Sequence, residues 1–186
     1  MQGLWMTSAL MAGALLEVLL GTCGVLLPLT AMVAFYFFVL RCWRHALLLA
    51  WVIGTMVDMS FGRSFPYYLV LMPLVLLIAR AWKGYQMTHL YVAQAVPGIA
   101  IGAVTGLFAS VTSLLKLEES TPFPFLSFLL LTLKCMGLTA FVLPLLVWLL
   151  ESCTKVLGLR RFTRVGSEYL LASKAEKDEV GADAFN

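Results

Sequence analysis

Apolar residues run almost without interruption along the first 150 positions of this chain, and most charged residues within these positions fall between the runs. The runs cover residues 3–25, 27–40, 45–59, 65–79, 89–115 and 123–150. A helix needs about 20 apolar residues to cross a hydrocarbon core about 30 Å thick. We therefore predict an all-α membrane protein with six transmembrane helices, of which the second is short enough to be re-entrant or strongly packed.

The first two runs have to be separate helices. Residues 3–40 contain a single charged residue, Glu17, and as one helix these 38 residues would be about 57 Å long. That length is nearly twice the thickness of the hydrocarbon core. Gly21, Gly24 and Pro28 are the residues that predict a turn within this segment.

The charges between the runs predict an orientation. If the N-terminus is cytoplasmic, eight basic residues lie on the inner side and two, Arg63 and Lys116, lie outside. The inner set is Arg41, Arg44, Arg80, Lys83, Lys155, Arg160, Arg161 and Arg164. Because cytoplasmic loops carry an excess of Lys and Arg, we predict that both termini are cytoplasmic.

Composition agrees with this prediction and divides the chain in two. Hydrophobic residues make up 61% of the 186 residues and charged residues 12%, against about 25% charged in soluble domains. We expect a transmembrane domain over residues 1–154, followed by a basic segment and a polar, disordered cytoplasmic tail over residues 155–186. The basic residues Lys155, Arg160, Arg161 and Arg164 are predicted to contact the anionic inner leaflet.

Small residues spaced four apart mark two helix faces. The face in the third run consists of Ala50, Gly54 and Gly62 around Asp58, and that in the fifth run of Gly98, Gly102 and Gly106. Such spacing lets another helix approach closely. For the fifth run, packing within the chain is favoured over docking of a partner protein, and both interpretations remain open.

Three residues that are charged at neutral pH, Glu17, Asp58 and Lys134, lie inside the runs. Charge in the bilayer is expensive, so such side chains are expected to face protein or water. Counting residues from the predicted membrane boundaries places all three in the outer half of the bilayer. We hypothesise that Lys134 neutralises Asp58 or Glu17; the alternative is that Asp58 reaches Arg63 or interfacial water. Either way, the acids are predicted to be structural or partner-facing anchors.

Motifs of catalysis and metal binding are missing from the sequence. It contains no Gly-x-Ser-x-Gly elbow, no His-Glu-x-x-His and no phosphate-binding glycine loop. The four cysteines, Cys23, Cys42, Cys135 and Cys153, do not have the spacing of metal ligands. We therefore predict a non-enzymatic protein without a cofactor, a metal site or a nucleic-acid partner.

Several motifs occur together in an order that resembles the MreD family of rod shape-determining membrane proteins. Pro28 opens the second run, and a basic corner follows at Arg41-Cys42-Trp43-Arg44. The third run contains Gly54-Thr55-Met56-Val57-Asp58, followed by Gly62 and by the aromatic Pro66-Tyr67-Tyr68. In that family the third span commonly contains Gly-x-x-x-Asp with a glycine shortly after it, in a chain with six spans.

The resemblance implies a scaffold of the peptidoglycan elongation machinery in the bacterial cytoplasmic membrane. Such a protein binds MreC and acts with the MreB filament, the RodA glycosyltransferase and a class B penicillin-binding transpeptidase. Its partners would be recognised by helix–helix contacts among membrane lipids, with the grooves at Gly54/Asp58 and at Gly98, Gly102 and Gly106 as candidates.

A second interpretation comes from another class of protein. Substrate-binding S components of energy-coupling-factor vitamin transporters are also about 20 kDa with six spans, and their fold is similar. Their first span docks a coupling subunit through small residues four apart, a spacing that Ser8/Ala12 and Ala9/Gly13 satisfy here. A vitamin bound near the external face would favour this interpretation.

Overall fold

The computed structural model describes residues 2–40, 43–63, 66–84, 94–116 and 124–156. These residues form helices and no strand, so the all-α prediction is confirmed. The helices are α1 (Gln2–Thr22), α2 (Leu29–Val39), α3 (Trp43–Ser60), α4 (Tyr67–Gly84), α5 (Ala95–Lys116) and α6 (Pro124–Val156). They follow the order of the six apolar runs.

Some predicted boundaries lie elsewhere in the structure. Helices α4 and α6 continue past the predicted ends at residues 79 and 150, to Gly84 and Val156. Lys83 and Lys155 lie in their last turns, where a cation interacts favourably with the helix dipole. Four predicted inner cations, Arg41, Arg160, Arg161 and Arg164, lie outside the described residues, as do Cys42, residues 85–93 and the tail from residue 157.

The predicted break between the first two helices is confirmed. Helix α1 ends at Thr22, and Gly24 follows with a φ of 77°. The Gly24 amide donates to the Gly21 carbonyl and the Val25 amide to the Leu20 carbonyl, both at 3.0 Å. This is a Schellman turn, in which a glycine with positive φ ends a helix and satisfies its last carbonyls.

Helix α2 is the centre of the bundle. All of its 11 residues are buried, and it packs against each of the other five helices. At 1.5 Å per residue it is about 16 Å long, too short to cross a hydrocarbon core of about 30 Å. Of the two predictions for this run, strong packing is the one that the structure confirms.

Helices α5 and α6 pack so closely that glycine is required between them. A Cβ on Gly98 would lie 2.7 Å from the Thr139 carbonyl oxygen, and one on Gly106 would lie 2.8 Å from the Thr132 Cα. The Thr139 hydroxyl also lies 2.8 Å from the Gly98 carbonyl oxygen, to which it donates. Packing within the chain is therefore confirmed for the glycine stripe of the fifth run, and α6 covers the face that a partner would have used.

One end of the bundle collects several basic residues. The Tyr36 hydroxyl lies 3.4 Å from that of Thr154, so the last turns of α2 and α6 meet. The start of α3 and the last turns of α4 lie at this same end, because α2 leads into α3 and α4 pairs with α3 as a hairpin. Arg44, Arg80, Lys83 and Lys155 are therefore gathered at one end.

The surface of the described residues carries many large apolar side chains. They lie on α1, α3, α4, α5 and α6, and include Leu4, Met59, Leu77, Leu107 and Phe141. Two segments, Gly3–Thr22 and Phe128–Val156, are long and apolar enough to cross a membrane by length and composition. Extended exposed apolar surface is typical of proteins that contact lipid or other proteins.

Candidate functional site

Glu17, a buried residue of α1, caps the N-terminus of α2. Its Oε2 atom accepts a hydrogen bond from the Thr30 amide at 2.9 Å. Pro28, at the N-cap position of α2, has no side-chain capping bond of its own. The first amides of a helix lack partners within the helix and carry partial positive charge. A carboxylate from the preceding helix therefore both satisfies and stabilises the start of α2.

Asp58, a residue of α3, caps the N-terminus of α4 in the same way. It is buried near the end of α3, and its Oδ2 atom accepts from the Tyr68 amide in the first turn of α4 at 2.9 Å. Its other oxygen, Oδ1, accepts from the Arg63 guanidinium at 3.0 Å. The alternative prediction that Asp58 reaches Arg63 is thus confirmed.

A second Schellman turn brings Arg63 to Asp58. Gly62 has a φ of 60°, its amide donates to the Met59 carbonyl, and the Arg63 amide donates to the Asp58 carbonyl. Within the part of the chain that the structure describes, no neighbouring atom lies within 4 Å of where a Cβ on Gly62 would stand. The prediction that Gly62 is a helix-packing residue is therefore wrong: its conformation, rather than its size, is what the turn requires.

Tyr68 joins the two carboxylates into one network. Its amide binds Asp58, and its hydroxyl donates to Glu17 Oε1. The side chain is fully buried, so α1, α2, α3 and α4 are connected by polar groups shielded from solvent. We call Glu17, Thr30, Asp58, Arg63 and Tyr68 the capping network.

Glycines make room for this network. A Cβ on Gly54 would lie 2.5 Å from the Tyr68 Cβ, so only glycine lets the α4 start sit against α3 here. On α1, Gly13 faces Val33 of α2, and Gly21 faces the Phe61 ring. The predicted packing roles of Gly54 and of the fully buried Ala50 are confirmed, and residues of this chain occupy the groove at Gly54/Asp58.

A cavity of about 200 Å³ adjoins the capping network. Its polar lining is Glu17, Arg63, Tyr67 and Thr105, and the turn after α1 supplies much of the rest. The Tyr67 hydroxyl is buried and makes no hydrogen bond to either carboxylate of the capping network. The Arg63 guanidinium lies 4.8 Å from the centres of both the Phe61 and Tyr67 rings, which hold it at the rim by cation–π contacts.

Lys134 lies elsewhere, and the hypothesis that it neutralises Asp58 or Glu17 is wrong. Its side chain is exposed on α6, whereas both carboxylates are buried among α1–α4 with other donors. Glu17 and Asp58 do lie at similar depth, as residue counting predicted. It could not show that Lys134 lies on the side of α6 facing away from α5.

Sequence reasoning also missed the capping role and its key residue, Tyr68. A signal for it was present: α2 and α4 both begin just after a proline, Pro28 or Pro66, and lack a Ser, Thr, Asp or Asn cap. Each is preceded by a helix that carries one buried acid. Within the described residues no group of three His, Cys, Asp or Glu side chains could hold a metal ion.

The fold and the site together define an all-helical bundle whose first four helices are joined by buried carboxylate caps, with two helices apolar enough to cross a membrane. Comparisons with models of known families, with curated proteins and with solved structures find no match.

Proposed function

We propose that this chain is a multi-pass protein of the bacterial cytoplasmic membrane with both termini inside. The exposed apolar side chains on five helices support lipid contact. The basic residues gathered at the end where α2, α4 and α6 finish support a cytoplasmic position for that end. The capping network and the cavity then lie toward the external side.

Within that membrane, the proposed role is a scaffold resembling MreD that binds MreC and acts with MreB, RodA and a class B penicillin-binding transpeptidase. The observation that carries this proposal is the structural role of the motif Gly54-x-x-x-Asp58 and of Gly62. Gly54 leaves room for the Tyr68 side chain, and Asp58 caps the N-terminus of α4. The turn at Gly62 brings the Arg63 guanidinium within hydrogen-bond distance of Asp58. The motif on which the resemblance rests thus has a structural role in building the bundle, and no catalytic role is assigned to it.

Partner contacts would use other surfaces than those predicted. The grooves at Gly54/Asp58 and along Gly98, Gly102 and Gly106 are filled by Tyr68 and by α6 of this chain. Glu17 and Asp58 are buried and face helices of their own chain. Partner recognition is therefore assigned to the exposed apolar faces of the outer helices.

Co-purification from membranes tests the scaffold. The full chain, tagged and expressed with the MreC of the same bacterium, is expected to bring down MreC in a near-stoichiometric amount from mild detergent. An unrelated six-span protein with the same tag is the control. Recovery of MreC no greater than with that control would contradict the proposal.

The cavity favours a second candidate, an S component of a vitamin transporter. It lies toward the proposed external side, but at about 200 Å³ it is smaller than the roughly 300–1,000 Å³ of typical ligand pockets. Ser8 and Ala12 are exposed on α1, whereas Ala9 and Gly13 are buried, so only the first pair is available for docking. Mass spectrometry of the same purified sample decides: a vitamin at near one-to-one ratio supports this candidate.

A further inference from the structure

Lys134 interrupts an otherwise apolar outward face of α6. Residues spaced three and four apart share this face, which we call the Lys134 face: Leu130, Lys134, Gly137, Leu138, Phe141, Leu145 and Trp148, all exposed. The opposite side of the helix, with Thr132, Cys135 and Thr139, packs on α5. The Lys134 face is therefore not covered by α5.

The depth of Lys134 makes its exposure unusual. It lies ten residues after Pro124, the first residue of α6, which is about 15 Å along the axis. It lies six residues, or about 9 Å, after Phe128, where the apolar segment of α6 begins, and is therefore inside a hydrocarbon core about 30 Å thick in the proposed membrane. Ionisable residues at such depth are expensive, and they pair with opposite charge or line water-filled cavities.

The described part of this chain does not supply that opposite charge. Glu17 and Asp58, the acids predicted at similar depth, are buried and engaged in the capping network. Glu151 lies 17 residues further along α6, about 25 Å away along the axis. Among its described residues a second copy of the chain would meet the same shortage, because its Glu17 and Asp58 are equally buried.

Gly137 makes room beside the charge. It lies one turn from Lys134 on the same face, and no neighbouring atom of the described residues lies within 4 Å of where its Cβ would stand. An exposed glycine within an apolar helix lets the backbone of another helix approach closely. Lys134 and Gly137 together thus offer a cation and a close-approach point.

We propose that the Lys134 face docks a transmembrane helix of another protein that carries an Asp or Glu at the depth of Lys134. Charge complementarity selects this partner, and Gly137 brings its backbone within reach of the lysine. The inference rests on the membrane insertion proposed above and adds the chemistry of one partner helix.

Binding of designed peptides tests it. The full chain in lipid nanodiscs is titrated with a leucine-rich transmembrane peptide carrying one Glu about 15 Å from its outer end, and with the same peptide carrying Gln. Energy transfer between dyes reports binding. The Glu peptide is expected to bind roughly tenfold more tightly, the scale of a buried polar contact between helices.

Variants assign the preference to Lys134. Lys134→Gln is expected to abolish the preference for the Glu peptide over the Gln peptide. Lys134→Glu is expected to create a preference for a peptide that carries Lys instead. Gly137→Leu is expected to weaken the binding of every peptide. Lys155→Gln, at the exposed end of α6, is the matched control and should keep the preference. Equal binding of Glu and Gln peptides by the unaltered chain, or a preference that survives Lys134→Gln, would overturn the inference.

Failure of the inference is distinguishable from failure of the proposed function. A chain that resists extraction from membranes by alkaline carbonate but shows no preference for the Glu peptide disproves only the docking face. Release of the chain by carbonate as a soluble protein would overturn the membrane proposal and the inference with it.

Discussion

Glu17 and Asp58 act as helix caps that are supplied by the preceding helix. The helices that they cap, α2 and α4, begin after Pro28 and Pro66, whose side chains offer no oxygen to the first amides. In an apolar interior an unpaired amide has no water to replace the missing bond, so its cost is high. A carboxylate satisfies the amide, and its charge interacts favourably with the positive end of the helix dipole.

Removing the Tyr68 hydroxyl tests this at one atom. Tyr68→Phe leaves Glu17 Oε1 without its donor, and we expect it to lower the free energy of unfolding by about 1–3 kcal/mol. Tyr67→Phe is the matched control, because the neighbouring Tyr67 hydroxyl donates to neither Glu17 nor Asp58. Thermal unfolding of the purified protein in detergent is the measurement. Equal losses of stability in the two variants would contradict a stabilising hydrogen bond from Tyr68 to Glu17.

Substitutions at Asp58 separate its two contacts. Asp58→Ala removes both the cap and the ion pair, leaves Arg63 unpaired, and should cost about 3 kcal/mol or more. Asp58→Asn keeps an oxygen for the Tyr68 amide, so about half of that cost is expected. The same unfolding assay checks both values. The carboxylate would be dispensable if Asp58→Asn unfolded like the unaltered chain and still recovered MreC.

At the level of elements, each hairpin of the bundle combines a close glycine with a polar tie. Gly54 lets Tyr68 sit against α3 while Asp58 binds the start of α4. Between α5 and α6, the glycine stripe allows contact, and the Thr139 hydroxyl binds the Gly98 carbonyl. The glycines therefore set the distance between helices, and the polar bonds fix their register.

Two glycine substitutions test this distinction. Gly54→Ala places a methyl group against the Tyr68 Cβ and should destabilise the protein by about 1–3 kcal/mol. Gly137→Ala points into open space and, because alanine favours helix, should be neutral or stabilising by up to about 1 kcal/mol. Denaturation by SDS in mixed micelles measures both. A Gly54→Ala variant as stable as Gly137→Ala would refute close packing at this position.

The elements were predictable wherever a local rule governs them. Gly24 and Pro28 marked the break after α1, and the stripe from Gly98 to Gly106 marked a close contact. Residue spacing does not reveal which side of a helix faces which neighbour. For this reason the exposed position of Lys134 could not be deduced, and Gly62, which continues the four-residue spacing, was misread as a packing residue rather than a turn.

In the molecule as a whole, the two ends of the bundle carry different groups of residues. The capping network and cavity lie where α1 and α3 end, and the basic residues lie where α2, α4 and α6 end. Such asymmetry is typical of a protein with a fixed orientation in the membrane. The order of the helices was predictable from the apolar runs, and the orientation derived from the charges stays a prediction. The central burial of α2 was only one of two open alternatives.

Native cysteines report the orientation. Cys23 is exposed in the turn after α1, on the proposed external side, and Cys153 lies in the last turn of α6, on the proposed internal side. In intact cells, a variant that keeps only Cys23 should react with a membrane-impermeant maleimide. A variant that keeps only Cys153 should react with the same maleimide only after the cells have been permeabilised. The reverse pattern would invert the proposed topology.

The most direct test of the proposed role is cell shape after depletion. When the chain is depleted in its own bacterium, a scaffold of peptidoglycan elongation predicts that rods lose their length-to-width ratio and become round, and that the unaltered gene restores them. Microscopy of cells during depletion provides this measurement. Cells that remain rods while losing uptake of a vitamin would contradict the scaffold and support the transporter component instead.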